Sequence, residues 1–105
     1  MKNVARVLKA ELVRAAQAFS VILLTGPRRS GKTTLLRLAF PGAAYRLLED
    51  PDELSRIRHD PRAFVDSLPT PVILDEIQNA PELLSYLRTL VDAKPRAKGR
   101  YLLTG

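Results

Sequence analysis

Eight consecutive residues in the first third of the chain have the types and spacing of a phosphate-binding loop. They follow the pattern G-x-x-x-x-G-K-[ST], in which the two glycines allow backbone dihedrals and a close approach to a ligand that a Cβ would obstruct. The N–H groups of such a loop, together with the N-terminus of the helix that follows it, form a concave site for an anion. The residues are Gly26, Pro27, Arg28, Arg29, Ser30, Gly31, Lys32 and Thr33.

The side chains at the end of this loop predict two separate tasks. Lys32 can reach the β- and γ-phosphates of a nucleoside triphosphate as a mobile positive charge, and the Thr33 hydroxyl can bind magnesium. Thr34 extends the segment and belongs to the same candidate nucleotide-binding set. Arg28 and Arg29 could contact the phosphates or face a partner, and a solvated position is equally consistent with their place in the loop.

Two carboxylates follow a second apolar segment, residues 72–74. A carboxylate at the carboxyl end of a parallel strand lies where open α/β sheets bind their ligands. We expect Asp75 to hold magnesium, directly or through water, opposite Thr33. We expect Glu76 to orient and deprotonate an attacking water molecule. A solvated strand end without a catalytic task is the alternative interpretation.

Thr104 is a third candidate, on weaker grounds. It ends the apolar segment that follows the Asp75 segment, where its hydroxyl could contact the γ-phosphate or the attacking water. An ordinary threonine at a strand end is the alternative. The predicted catalytic set is therefore Glu76, Lys32 and Thr104, and the predicted metal ligands are Thr33 and Asp75.

Strands and helices alternate along the chain, which predicts βαβ units and a parallel sheet. Apolar runs predict the strands, and spacings of three and four residues predict the helices. The strands are expected at 20–25, 44–48, 72–74 and 101–103. Helices are expected at 3–19, at 32–39 and from Pro81 onward. Two more are expected after Asp50 and Asp60, because each of these aspartates is a cap residue that precedes a proline.

Composition narrows the class of protein further. The 105 residues include 17 Lys and Arg against 11 Asp and Glu, so the net charge is +6. There is no cysteine, which excludes disulfide frameworks and cysteine-ligated metals. No apolar run reaches the ~18 residues of a membrane span, and charges interrupt any signal-peptide core. We expect a single cytoplasmic domain over residues 1–105 without a membrane partner. Its positive charge suits anionic ligands and also serves solubility.

The segments 24–36 and 71–78 together resemble the nucleotide-binding part of AAA+-type ATPases. The closer resemblance is to the prokaryotic family that joins such a domain to a C-terminal domain of unknown function, and 81–84 and 101–105 are similar as well. The resemblance implies a three-layer α/β/α P-loop NTPase core with a parallel sheet, and ATP and Mg²⁺ as ligands. It also implies a Walker A motif from Gly26 to Thr33, a Walker B motif from Val72 to Glu76 and a sensor position near Thr104.

The sequence departs from that family at its end. Such a domain normally continues past the sensor strand into another strand, an arginine-finger region and a helical lid. We therefore expect a truncated domain with four of the usual five core strands, on which residues 1–19 pack as a helix. The fifth strand would flank the strand of the phosphate loop, so residues 21–25 are expected to form an unpaired sheet edge. The lid would enclose the base, so a preference for ATP over GTP follows only from the resemblance.

Three functions are consistent with these observations. The first is an ATP-binding domain that hydrolyses ATP. The second is a nucleotide-gated switch or interaction module, in which hydrolysis is slow or absent. The third is a component of a nucleic-acid-dependent motor, which rests on the positive charge alone. The sequence leaves open a protein partner or a homo-oligomer.

Overall fold

Four parallel strands form the centre of the protein in a computed structural model that describes residues 2–27 and 31–105. The strands are β1 (Val21–Leu24), β2 (Ala44–Leu47), β3 (Val72–Asp75) and β4 (Tyr101–Thr104). Their order across the sheet is β1-β4-β3-β2, and all three pairings are parallel. This arrangement confirms the predicted α/β class. Because the strands are parallel, the carboxyl ends of the two central strands, β4 and β3, lie at the same edge of the sheet.

Helices cover both faces of the sheet, which gives three layers. On one face the core cluster contains residues of α1 (Lys2–Ala18) and α2 (Lys32–Ala39). On the other face it contains residues of four further elements. These are α3 (Pro51–His59), α4 (Pro61–Asp66), a 3₁₀ helix (Ile77–Asn79) and α5 (Leu83–Ala93).

Alternating side chains of the two central strands fill the two halves of the core. Ile73 and Leu102 pack with α1 and α2 through Leu12 and Leu36. Their neighbours on the same strands point to the opposite cluster, which contains Val72, Leu74, Tyr101 and Leu103. Because helices cover both faces, these strands need apolar residues on both faces, and this explains the continuous apolar runs before Asp75 and Thr104.

The strand before the phosphate-binding loop lies at the edge of the described sheet, as expected. β1 pairs with β4, and Ile22 is buried against the face of α1 and α2. Leu23 points the other way and is 55% exposed. The apolar run of this strand predicts burial on both faces of the sheet. The structure differs at Leu23, because the helices on its face of the sheet pack over the central strands.

Two aspartates cap the short helices after β2. The Asp50 carboxylate accepts a hydrogen bond of 2.8 Å from the N–H of Asp52, and the Asp60 carboxylate accepts one of 3.0 Å from the N–H of Ala63. Each cap is followed by proline at the first helical position, where no N–H is required. Both helix starts therefore agree with the sequence-based prediction.

The segment between β3 and α5 differs from the prediction. A 3₁₀ helix that the sequence did not indicate occupies Ile77–Asn79, and α5 begins at Leu83, two residues after Pro81. In α5, Leu83 and Leu87 are buried, whereas Leu84 is exposed. Among the described residues, no helix has both the length and the apolar content that crossing a membrane requires.

Candidate functional site

The end of the phosphate-binding loop is held in a left-handed backbone conformation. Gly31 caps α2 with φ 86° and ψ 12°. A Cβ on Gly31 would meet no atom within 4 Å, so glycine is favoured here by the backbone angle and not by space. Gly26, at the start of the loop, also has a positive φ, of 152°. The candidate ligand residues Arg28, Arg29 and Ser30 lie outside the described residues.

Lys32 is the first residue of α2, and its side chain is buried, with 8% of the residue exposed. Its Nζ donates hydrogen bonds to the carbonyl oxygens of Gly26, at 2.7 Å, and Gly105, at 3.0 Å. A buried ammonium group needs such partners. Because both acceptors are neutral, the bonds satisfy the donors without cancelling the positive charge, which stays available to an anion.

Asp75, at the carboxyl end of β3, accepts hydrogen bonds from three hydroxyl groups on three different elements. Its Oδ1 accepts from Thr33 of α2, at 2.9 Å, and from Thr104 of β4, at 2.6 Å. Its Oδ2 accepts from Tyr45 of β2, at 2.5 Å. The structure therefore brings together Thr33 and Asp75, the two predicted metal ligands, and adds a tyrosine that the sequence analysis did not include.

Opposing effects act on the pKa of Asp75. Burial alone would raise this pKa, because it disfavours the charged form. The three hydroxyl donors, Thr104 foremost, and the nearby positive charge of Lys32 lower it by more, so the pKa lies below its ordinary value. The carboxylate is therefore ionised at neutral pH, as a magnesium ligand must be.

Tyr45 keeps its proton over the whole physiological pH range. Burial is the largest cause that raises its pKa to about 12, followed by the hydrogen bond to Asp75 and the negative charge of that carboxylate. The guanidinium of Arg37 lies 4.0 Å from the centre of the ring and opposes the shift. The hydroxyl is thus a permanent donor to Asp75.

This shift predicts a difference in alkaline stability between the wild type and Tyr45→Phe. When the pKa of a group is higher in the folded than in the unfolded chain, the difference stabilises the fold at pH values below the unfolded pKa of about 10. This stabilisation is lost as the pH rises toward the folded pKa. Denaturant titrations between about pH 10 and 12 should show a steeper loss of unfolding free energy in the wild type than in the variant. Parallel curves would contradict the assignment.

Glu76 has an unusual backbone conformation directly after β3. Its φ of 64° and ψ of 54° place it in the left-handed region, which is uncommon outside glycine, asparagine and aspartate. Its N–H donates to the Thr104 hydroxyl at 3.0 Å, and Gln78 Nε2 donates to its Oε2. These contacts fix both the backbone and one carboxylate oxygen of a partly exposed side chain.

Thr104 is completely buried at the end of β4. Its hydroxyl donates to Asp75 and accepts from the N–H of Glu76, so it connects the two candidate carboxylate residues. A contact with the γ-phosphate stays a prediction from the sequence. The structure adds a second task, which is to hold Asp75 and Glu76 in a fixed relation.

A cleft of about 150 Å³ joins the two candidate motifs. It is lined by Gly31, Lys32, Thr33, Thr34 and Glu76. A hydroxyl and a carboxylate are hard oxygen donors of the kind that Mg²⁺ prefers, and Thr33 and Asp75 provide both within hydrogen-bonding distance of each other. The residues present therefore fit a magnesium ion beside a phosphate group.

The sheet is all parallel and lies between two layers of helices, and a loop bounded by glycines leads into α2. These features define a P-loop NTPase-like α/β fold. The family model described as "AAA domain" matches residues 18–105, and the chain belongs to this family. It is accordingly a nucleotide-binding domain of the AAA type. The expected resemblance to AAA-type ATPases is confirmed.

Two mycobacterial proteins are similar to most of this chain. They are the uncharacterized protein Rv2008c of Mycobacterium tuberculosis and the uncharacterized protein Mb2031c of Mycobacterium bovis, each 40% identical over 98 residues. The match covers 91% of this chain but 22% of each relative. The chain thus spans about a fifth of the length of these relatives. No solved structure gives a significant match.

Proposed function

We propose that this domain binds ATP together with Mg²⁺ and hydrolyses it. The observation that carries the proposal is the 2.9 Å hydrogen bond from Thr33 to Asp75, which joins the start of α2 to the end of β3. Glu76, the next residue, lines the same cleft as Lys32. Residues for phosphate binding, metal binding and proton transfer are therefore adjacent at one end of the sheet.

The phosphates would be bound by the loop and the first turn of α2. Backbone N–H groups and the positive end of the helix attract the negative charge. Lys32 would exchange its two carbonyl acceptors for phosphate oxygens, a stronger interaction because both partners are charged. The proposed ligand residues are Gly26, Pro27, Arg28, Arg29, Ser30, Gly31, Lys32, Thr33 and Thr34.

Thr33 and Asp75 would hold the magnesium ion. When bound, the ion neutralises negative charge on the phosphate oxygens. Thr33 can bind through an oxygen lone pair while its O–H continues to donate to Asp75. The lowered pKa of Asp75 suits this arrangement, since a protonated carboxyl would lack the negative charge that attracts a cation.

Glu76 would accept a proton from the attacking water. The water oxygen forms a bond to the γ-phosphorus, the bond from that phosphorus to the bridging oxygen breaks, and ADP leaves with the bonding electrons. Gln78 and the Thr104 hydroxyl hold Glu76 in place before the reaction. A fixed acceptor lowers the entropic part of the barrier.

Glu76→Gln separates hydrolysis from a nucleotide-gated switch. The amide cannot accept the proton, so we expect the rate of phosphate release from ATP to fall by about 100-fold or more. The dissociation constant for Mg²⁺-ATP should change by less than about twofold, because the proposed phosphate and metal ligands are untouched. Phosphate release and calorimetric binding are measured on the same preparations.

Glu82→Gln is the matched control, since it removes an exposed carboxylate that pairs with Arg58, outside the cleft. It should leave the rate unchanged. A Glu76→Gln variant that hydrolyses ATP at the wild-type rate would exclude Glu76 as the proton acceptor. A wild-type chain that binds ATP tightly but releases no phosphate would favour the switch.

A further inference from the structure

The two oxygens of Asp75 are held by different parts of the protein. Oδ1 accepts from Thr33, which belongs to the phosphate-loop motif, and from Thr104, the third candidate residue, which lies beyond both motifs. Oδ2 accepts from Tyr45, which lies on β2, outside those motifs. The orientation of the carboxylate therefore depends on a residue that no phosphate-loop or strand-end pattern includes.

The strand register explains how Tyr45 reaches Asp75. β2 pairs with β3 so that Leu47 lies opposite Asp75, and Tyr45 lies opposite Ile73. Tyr45 is thus two residues before the position level with the carboxylate, and on a strand this spacing keeps it on the same face of the sheet. The length of the phenol brings its hydroxyl to 2.5 Å from Oδ2.

A second contact fixes the ring itself. Arg37 of α2 places its guanidinium 4.0 Å from the centre of the Tyr45 ring, a cation–π distance. The ring also packs against the core cluster of α1 and α2. Tyr45 is therefore held by strand pairing on one side and by α2 on the other, and α2 also carries Lys32 and Thr33.

We propose that Tyr45 is a positioning residue for the magnesium-dependent part of nucleotide binding, and that Arg37 supports it. By holding Oδ2, the tyrosine prevents the carboxylate from rotating and keeps Oδ1 turned toward Thr33. This inference rests on the proposed binding of Mg²⁺-nucleotide. It gives β2 a part in metal affinity, although β2 contributes no residue to the two motifs.

The test compares nucleotide affinity with and without magnesium. We define the magnesium factor as the dissociation constant of a non-hydrolysable ATP analogue in EDTA divided by that in excess Mg²⁺, both from calorimetry. Tyr45→Phe should reduce this factor by about tenfold, the usual scale for loss of a partner that orients a metal ligand. The affinity in EDTA should change by less than about twofold, because Lys32 and the loop are unaffected.

Tyr101→Phe is the matched control. Tyr101 is a buried tyrosine on β4, separated from β2 by β3, and its hydroxyl accepts a hydrogen bond from Arg100. Its magnesium factor should equal that of the wild type. Arg37→Ala, at an exposed position, should lower the factor by about threefold and provides a test if Tyr45→Phe does not fold.

An epistasis measurement distinguishes positioning from general destabilisation. In a chain that already carries Asp75→Asn, adding Tyr45→Phe should alter the magnesium factor by less than about twofold, since Tyr45 acts through the Asp75 carboxylate. Equal effects of Tyr45→Phe with and without Asp75→Asn would overturn the proposal, as would an unchanged magnesium factor in Tyr45→Phe. A wild-type chain that binds no nucleotide in either buffer would overturn the proposed function as well.

Discussion

Lys32→Ala is expected to abolish the thermal stabilisation that Mg²⁺-ATP gives the wild-type chain. A ligand at 100 times its dissociation constant adds about 2.7 kcal/mol to the unfolding free energy, which for a domain of this size raises the midpoint by roughly ten degrees or more. Lys32 is the buried cation that lines the cleft, and alanine removes its charge and three donors. The measurement is thermal unfolding of both chains with and without Mg²⁺-ATP.

The comparison without nucleotide shows whether Lys32→Ala acts on binding alone. The bonds of Lys32 to Gly26 and Gly105 are to neutral carbonyls, so we expect their loss to lower the unliganded midpoint by a few degrees at most. Lys98→Ala is the control, because Lys98 is exposed and its Nζ donates to the carbonyl of Pro95. If Lys32→Ala were stabilised by nucleotide as strongly as Lys98→Ala, the proposed phosphate site would be wrong.

Leu102→Ala is expected to reduce the unfolding free energy by about 2–5 kcal/mol, the range found for leucines truncated in a well-packed core. Leu102 is fully buried on the central strand β4, in the cluster that contains Ile22 and Leu36. Domains of this size have a total stability of about 5–15 kcal/mol, so a large fraction of it would be lost. Denaturant titration with a constant m-value measures the effect.

Leu38→Ala provides the surface reference for this experiment. Leu38 lies on α2 and is 59% exposed, so its truncation should change the unfolding free energy by no more than about 0.5 kcal/mol. The same chemical change would then have very different effects at two positions. A similar loss in both variants would mean that β4 does not occupy the centre of the core.

The sequence alone predicts those parts of the site that depend on local patterns. The spacing of Gly26, Gly31 and Lys32 identifies the loop, and the apolar run before Asp75 identifies a buried parallel strand. Because carboxyl ends of parallel strands meet at one edge, the approach of Asp75 to Thr33 also follows from the pattern. Each of these inferences uses residues close together in the chain or a general rule of sheet geometry.

Other features depend on contacts between distant residues, and no local pattern indicates them. Tyr45 reaches Asp75 because of the register between β2 and β3, which the sequence does not specify. The left-handed conformation of Glu76 is supported by Thr104 and precedes the unexpected 3₁₀ helix. The exposure of Leu23 reflects which strands the helices cover, and that depends on how all the elements pack.

The strand order β1-β4-β3-β2 determines when the nucleotide site can assemble during folding. β2, β3 and their connecting helices are neighbours in the chain and can associate early, whereas β1 pairs with β4. The Ser20 hydroxyl beside β1 donates to the carbonyl of Ala97, 77 positions away. Closing so long a loop is entropically unfavourable and slows folding. During synthesis, the strand that precedes the phosphate-binding loop therefore cannot complete its pairing until residues 101–104 have been made, and Thr104 can join Asp75 only from that point on.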